Sequence, residues 1–493
     1  MKAIRINPRD NVAVALVPLW KGERIAVGGK EIALPQNVPQ GHKFAMQSIG
    51  KGENVVKYGA PIGHLIEKVV AGQLVDSHNL RTNLNDLLNY DFNPVESAPP
   101  VPEKERSFMG YRREDGSVGI RNEIWIIPTV GCVNGIAQRL AEMMQSHKPA
   151  SIDAIHSYTH NYGCSQLGDD HENTRRILRD MALHPNAGGV LFVGLGCENN
   201  QVSDLREWVG TDRGGRIRYM ETQKVGDEIE EGLRLLNDIC HIASADERTP
   251  CPFSVLRIGL KCGGSDGLSG ITANPLLGRF SDFMALQGAS TILTEVPEMF
   301  GAETMLLDRC IDRIVFDRAV KMINGFKQYF IDNHQPIYEN PSPGNKAGGI
   351  STLEEKSLGC VQKGGSSPVV DVLGYGDRVS KPGLSLLYGP GNDLVAATAL
   401  AAAGCQMILF TTGRGTPFGT FVPTVKVSTN TPLHRAKPKW IDFDAGPIAS
   451  GVEPDTMLEE FIEHILKIAE GQPTHNEKNG YRDLAIFKTG VTL

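Results

Sequence analysis

The hydrophobic pattern has two textures. Up to about residue 90 the apolar runs are short and closely spaced: NVAVALVPL, RIAVGG, KEIALP and ENVVKYG, each bounded by Gly, Pro or Asn. Short β-type runs punctuated by turn formers predict a small β-rich domain over residues 1–90. Residues 91–107 then carry Pro94, Pro99, Pro100 and Pro102. Proline fixes φ and removes a backbone donor, so this stretch is expected to be an extended linker.

Beyond Tyr111 the runs lengthen. IWIIPTV, GGVLFVGLG, SVLRIGLK, STILTEV and QMILFTT alternate with helical patterns such as NGIAQRLAEMMQSH and NTRRILRDMALH. Continuous apolar strands separated by helices point to parallel sheets covered on both faces. The expected fold class is therefore multidomain α/β, with α/β domains over 108–252 and 253–493 that meet near SADERTPCP. Near the far end, Leu458, Phe461, Ile462, Ile465 and Leu466 share one face of a helix that Gly471 stops.

Composition narrows the class. A chain of 493 residues is too long for one ordinary core. Its 41% hydrophobic and 22% charged residues are those of a globular protein. A net charge of −7 with no Lys/Arg-rich block argues against a nucleic-acid partner. No apolar run approaches the roughly 20 residues of a membrane span, and the opening MKAIRINPRDNVAVALVPL lacks a cleavage pattern. The expectation is a cytoplasmic protein with no membrane partner. Nine cysteines, an odd number, then read as thiols or metal ligands and not as a disulfide framework.

In open α/β sheets, ligands bind beyond the carboxyl ends of the strands. Cys132, Cys164 and Cys197 each follow a glycine at such an end, Cys262 precedes one, and Cys360 and Cys405 follow one elsewhere. Singly, each fits a small buried hydrophobe at a tight turn. Together with Asp169, Asp170, His171, Glu198 and Asp266 they supply the donor types of Fe2+, Zn2+ or Mn2+. Cys164, Cys197, Glu198 and Cys262 are the expected metal ligands. An alternative has three of Cys132, Cys164, Cys197 and Cys262 holding an iron–sulfur cluster.

The segment LKCGGSDGLSGITANP, 260–275, lies between an apolar run over 253–260 and a helical pattern over 271–288. It matches neither the P-loop nor the GxGxxG spacing. Its glycines allow the backbone to approach a ligand, which Lys261, Ser265 and Asp266 would contact. Arg414 in TTGRGTPFG and Lys346 in NPSPGNKAGG offer cations for a carboxylate, with loop-tying as the structural alternative. Glu295 and Glu298 of TEVPE stand at a strand end, or else are solvated. The first domain adds His42 and Lys43, then Asp76, His78, Asn79, Arg81 and Asn83, a cluster pointing to ligand contact in a unit with little evident core.

These stretches carry a family resemblance. GHKFA, KYGAPIG, HNLRTNL, VGIRNEIWIIPTVGCVNG, YGCSQLGDDHENT, GLGCENNQV, KCGGSDGLSGITANPLLGRFSD, PSPGNKAGG, TTGRGTPFG and AIFKTGVTL resemble the altronate and galactarate dehydratase family from end to end. The resemblance implies a β-clip (SAF-type) first domain and Rossmann-like later ones. It also implies conversion of D-altronate, or of a related sugar acid such as galactarate, to a 2-keto-3-deoxy product in hexuronate breakdown. Fe2+ or Mn2+ would be the cofactor and the chain a homodimer. In that frame His42, His78, His160, Lys261 and Asp266 are the candidate catalytic groups. Asn79, Arg81, Asn83, Ser265, Lys346 and Arg414 are the candidate sugar-acid contacts. Asp76 departs from the family pattern, where a histidine is usual, which moves the expectation to His78. An iron–sulfur dehydratase and a non-catalytic sugar-acid sensor are the rival readings.

Overall fold

The computed structural model describes residues 1–85, 87–95 and 105–492. The first unit is made of antiparallel strands. Ala3–Ile4, Val12–Ala15, Lys43–Ala45 and Leu74–Val75 form one sheet. Arg24–Val27 and Lys30–Ala33 form a hairpin whose two loop residues, Gly28 and Gly29, have φ of +57° and +74°. Two consecutive positive φ values are what the favoured two-residue hairpin turn demands, and glycine accepts them without strain. Asn54–Lys57, Ala60–Leu65 and Leu80–Arg81 complete the unit. Most of the expected proline-rich linker, residues 96–104, lies outside the described residues. Just before it, Val95 donates to the Asp308 carbonyl at 2.8 Å and Phe92 packs on Phe316.

The middle unit holds four parallel strands in the order Ile155–Ser157, Glu123–Pro128, Ala187–Gly194, Ile217–Glu221. Every residue of Glu123–Pro128 and of Ala187–Gly194 is buried, as strands covered on both faces must be. The chain enters this unit along Ser107–Arg112 and leaves along Thr249–Pro252, two strands that pair antiparallel with each other.

The third unit is a seven-stranded parallel sheet. Its first strand in the chain, Arg257–Cys262, lies in the middle, with Ser290–Leu293 on one side and Met407–Thr412 on the other. The order reverses around that strand, and such a reversal opens a crevice at the carboxyl ends. The strand begins and ends later than the apolar run suggests: Phe253–Val255 is a 3-10 turn, while Lys261 and Cys262 belong to the strand. The following helix is Ala273–Leu286. The C-terminal helix, Pro454–Ala469, buries Phe461, Ile462 and Ile465 as its pattern demands. The two α/β units share a core in which Trp125 and Tyr158 meet Phe421 edge to face. No helix among the described residues is long and apolar enough to cross a membrane.

Candidate functional site

The first unit docks on the carboxyl ends of the large sheet through glycine. Gly267 donates to the Gly348 carbonyl at 2.8 Å. A Cβ on Gly267 or on Gly349 would overlap the Gly41 carbonyl, and one on Gly270 would overlap the Tyr58 hydroxyl. Gly267 and Gly270 of the 260–275 segment thus serve close contact between units, where the sequence pattern suggested approach to a ligand.

Beneath this seam runs a short helix, Leu353–Cys360, in which all eight residues are buried, Glu354, Glu355 and Lys356 included. Buried charge is costly unless paired. Glu355 accepts from Lys43 and Lys57 of the first unit, both at 2.8 Å, and from the Ser351 amide. Burial opposes its charge, but the two ammonium groups outweigh burial and hold the carboxyl at about 2. Glu354 accepts from the Thr82 hydroxyl at 2.9 Å and the Asn83 amide at 2.6 Å. Lys43 is different from Lys57. Burial, aided by the neighbouring Lys57 charge, lowers the Lys43 pKa even though Glu355 and Asp76 counteract it, whereas Glu355 and Tyr58 raise that of Lys57 against burial.

One turn further, the helix meets the sheet. Lys356 pairs with Glu298 at 2.7 Å. The other Glu298 oxygen lies 3.1 Å from both the Cys262 and the Cys360 sulfur, and the two sulfurs are 3.4 Å apart. Lys363 donates to the Cys262 sulfur at 2.8 Å. Glu295 pairs with Lys261 at 2.5 Å and accepts from the Cys262 amide. Its φ of +68° is unusual for a non-glycine residue and is held by those side-chain bonds. A small cavity lined by Lys57, Tyr58, Asp266, Lys356 and Cys360 joins the two halves of the network.

Cys262, Glu298 and Cys360 place one ligand atom each within 4.8 Å of one another, and among the described residues they are the one such group. Two thiols and a carboxylate fit a divalent ion with thiolate affinity, Fe2+ better than Mn2+. The fit has a condition. Hydrogen bonding to Cys262 and burial push the Cys360 thiol well above its usual range, so an ion would have to displace that proton and share Cys262 with Lys363.

The expected metal set is not one site. Cys262 is buried in this network, while Cys164 and Cys197 are exposed on the middle unit. Glu198 is consumed by its own loop, accepting from Thr129 at 2.6 Å and from the Leu195 and Gly196 amides. Asp170 is likewise occupied by the amides of Thr489 and Gly490.

Three catalytic expectations change for similar reasons. His160 uses both ring nitrogens, one on the Pro128 carbonyl and one on the Tyr162 amide, and burial pushes it down to about 4. Lys261 is clamped between Glu295 and Asp393; against burial, those carboxylates raise its pKa, so it remains an ammonium. Asp266 accepts from Thr429, Asn430, Ser269 and the Leu268 amide, which makes it a tie between loops.

Of the remaining residues, Ser265 is buried and its carbonyl accepts from Asn345. Arg414 and Lys346 are exposed, and the Arg414 backbone is tied to Gly264 in the crevice. A Cβ on Gly344, two residues before Lys346, would lie 3.5 Å from the Arg414 Nε. His42 is half-buried at the seam, its ring bonded to the Gln40 carbonyl. Asn79 closes a turn on Asp76 and Leu74. Arg81 and Asn83 are exposed, held by Ser77 and Asn54. His78 pairs with Asp76 at 3.0 Å with 90% of its side chain in solvent. The sequence reading had no place for Lys57, Glu355, Lys356 or Lys363, because an isolated charge in a strand or a helix reads as solvated.

Comparison with known proteins completes the picture. Residues 1–83 match the altronate/galactarate dehydratase SAF domain, residues 110–244 the second domain of D-galactarate dehydratase/altronate hydrolase, and residues 253–492 the D-galactarate/altronate dehydratase C-terminal domain. The chain is 55% identical to an altronate dehydratase of Bacillus subtilis (strain 168) over 99% of both chains. It is equally similar, 55% over 100% of both, to an altronate dehydratase of Escherichia coli (strain K12). A galactarate dehydratase (L-threo-forming) of the same strain is 32% identical, covering 98% of this chain and 96% of its own.

Proposed function

We propose that this chain, which belongs to the altronate and galactarate dehydratase family, dehydrates D-altronate to 2-dehydro-3-deoxy-D-gluconate and water. The observation that carries the substrate choice is the identity of 55% to two altronate dehydratases over the whole chain, against 32% to the galactarate enzyme. We read the two α/β units as Rossmann-like and the protein as cytoplasmic.

The reaction removes the proton on C2, beside the carboxylate, and expels the hydroxyl of C3 as water; the resulting enol tautomerises to the 2-keto acid. The difficulty is the weak acidity of that C2 proton, so a base must be neutral when the substrate arrives. Lys43 is our choice. It rests as an ammonium on Glu355, and its lowered pKa eases release of that proton once the seam parts, leaving the amine that takes the C2 proton. Tyr58, kept protonated by burial, lines the adjoining cavity and can return a proton to the departing hydroxyl. To Arg414 and Lys346, both exposed, we assign the drawing in of the substrate carboxylate. Lys43 is sealed in this conformation, so substrate entry requires the seam to part.

Fe2+, or Mn2+, is the proposed cofactor, with Cys262, Glu298 and Cys360 as its ligands. Bound there it would supply Lewis-acid stabilisation of the enediolate.

The test is an anaerobic assay of 2-keto acid formation from altronate and from galactarate, with wild-type protein and Lys43→Met. Altronate should be preferred and Lys43→Met should lose at least about 100-fold in kcat. Preference for galactarate would overturn the substrate, and full kcat in Lys43→Met would overturn the base.

A further inference from the structure

The middle unit has an open edge that the seam leaves unused. Three of its strands, Glu123–Pro128, Ile155–Ser157 and Ala187–Gly194, lead at their carboxyl ends into loops carrying Cys132, Cys164 and Cys197. These are the exposed cysteines of the chain; the other six are buried. Free cysteine normally behaves as a buried hydrophobe, so three exposed thiols at one sheet edge need another cause.

The loops are fastened to one another by backbone. Gly131 donates to the Tyr162 carbonyl at 3.0 Å, and Asn200 to the Gly163 carbonyl at 2.9 Å. The Ser165 amide donates to the Asn199 side chain at 2.9 Å, and the Asn200 side chain to the Thr129 carbonyl at 3.1 Å. Gly163, at φ +97°, lies so close to the Thr129 carbonyl that no Cβ would fit; a Cβ on Gly131 would sit 2.9 Å from the His160 carbonyl. Gly131 and Gly163 immediately precede Cys132 and Cys164, and Asn200, three residues after Cys197, ties the third loop to them, so the three thiol-bearing loops are fixed together. Each cysteine also stands just before a helix, Asn134–Gln145, Gly168–Ala182 or Val202–Val209, whose N-terminus favours negative charge. Gln223 and Ser165 approach the Cys197 and Cys164 sulfurs at 3.7 and 3.9 Å, as donors to ligating sulfurs do. In the same loops the buried Asn200 Oδ1 and Gln166 Nε2 have no partner.

Distance selects the ligand. Sulfurs bound to one ion at about 2.3 Å can be no more than roughly 4.6 Å apart. The three thiols do not all lie within 4.8 Å of one another. A single ion held by all three is therefore excluded in this conformation, while a polynuclear cluster, whose irons are themselves separated, takes more widely spaced thiols. The geometry points to an iron–sulfur cluster held by the thiolates of Cys132, Cys164 and Cys197. Three protein ligands leave one iron of a four-iron cluster open to water or to a hydroxyl or carboxylate oxygen. On binding, each thiol gives up its proton and forms one iron–sulfur bond, with no change of oxidation state. This site is separate from the seam and does not rest on the reading given to it.

The experiment is anaerobic reconstitution of the full chain with Fe3+, sulfide and a thiol reductant, which reduces half of the iron so that each cluster holds two ferric and two ferrous ions. The expected product is brown, with about four acid-labile sulfides per chain and about four irons to match them, besides any sulfide-free iron held by Cys262, Glu298 and Cys360. Cys132→Ser, Cys164→Ser and Cys197→Ser should each lose at least half of that iron, while Cys405→Ser keeps it. Thiol alkylation of the unsubstituted protein gives a second reading that no folding defect can blur. The three exposed thiols should react in the apoprotein and be protected after reconstitution. A colourless product, iron without sulfide, a cluster that survives any of the three substitutions, or unprotected thiols would each overturn the assignment.

Discussion

Lys43 and Glu355, 312 positions apart in the chain, meet at 2.8 Å with neither side chain exposed. Removing one partner of a buried pair strands the other charge, at a cost of about 3–5 kcal/mol. Glu355→Gln strands two ammonium groups, so its unfolding free energy at pH 7 should fall by that order and its melting temperature with it. The folded carboxyl is held at about 2 against an ordinary value of 4.5. Its contribution is therefore complete above about pH 4.5 and is lost as pH falls towards 2. Urea titrations of both proteins at stepwise lower pH should show their difference shrinking by roughly 3 kcal/mol over that window. A difference independent of pH would mean that Glu355 is not ionised in the fold.

Asp266 holds the 260–275 loop to Thr429 and Asn430. Asparagine cannot accept from all of these donors, and one end of it would face the Asn430 amide. Asp266→Asn should cost about 1–3 kcal/mol in stability, with kcat of the folded fraction changed less than about fivefold. A collapse of kcat at unchanged melting temperature would return the carboxylate to the chemistry.

His78 and His160 separate by exposure. His78→Ala, on a side chain almost wholly in solvent, should alter stability by less than about 0.5 kcal/mol and leave kcat nearly unchanged. His160→Ala breaks two buried bonds and should lower the melting temperature, while the pH profile of kcat/KM keeps its shape, because the imidazole is already neutral above about 4. A large kcat loss in His78→Ala with normal folding would place that ring in the reaction.

Cys360→Ser replaces a soft donor by a hard one beside Glu298. If the trio holds the divalent ion, metal titration followed by elemental analysis should show the preference moving from Fe2+ towards Mn2+ by at least about tenfold. Unchanged metal content and preference would remove the trio from consideration.

What could be read in the sequence was whatever has a local period. The hairpin at Gly28 and Gly29, the all-apolar strand at 187–194 and the helix at 454–469 announce themselves through alternation, turn chemistry or a 3.6-residue stripe. Helix Leu353–Cys360 has no such stripe, because every face of it is buried and the charge of Glu355 is balanced by residues about 300 positions away. No window of neighbouring residues contains that information. The glycines of 260–275 were legible as a demand for close approach, but the partners of Gly267 and Gly270, Gly41 and Tyr58, lie in another domain. The cysteines were legible as strand-end groups, and only the fold separates Cys262 from the exposed three.

The glycine seam also bears on what the covalent chain between the units is for. The first unit is held by backbone laid against backbone and by ammonium groups plugged into Glu355, with residues 90–95 docked on the third unit as well. None of these attachments runs through residues 96–104. Cutting the peptide there would leave two fragments gripping each other, and fragments made apart could reassemble. The first unit then behaves as a cartridge that brings its own lysine to a socket.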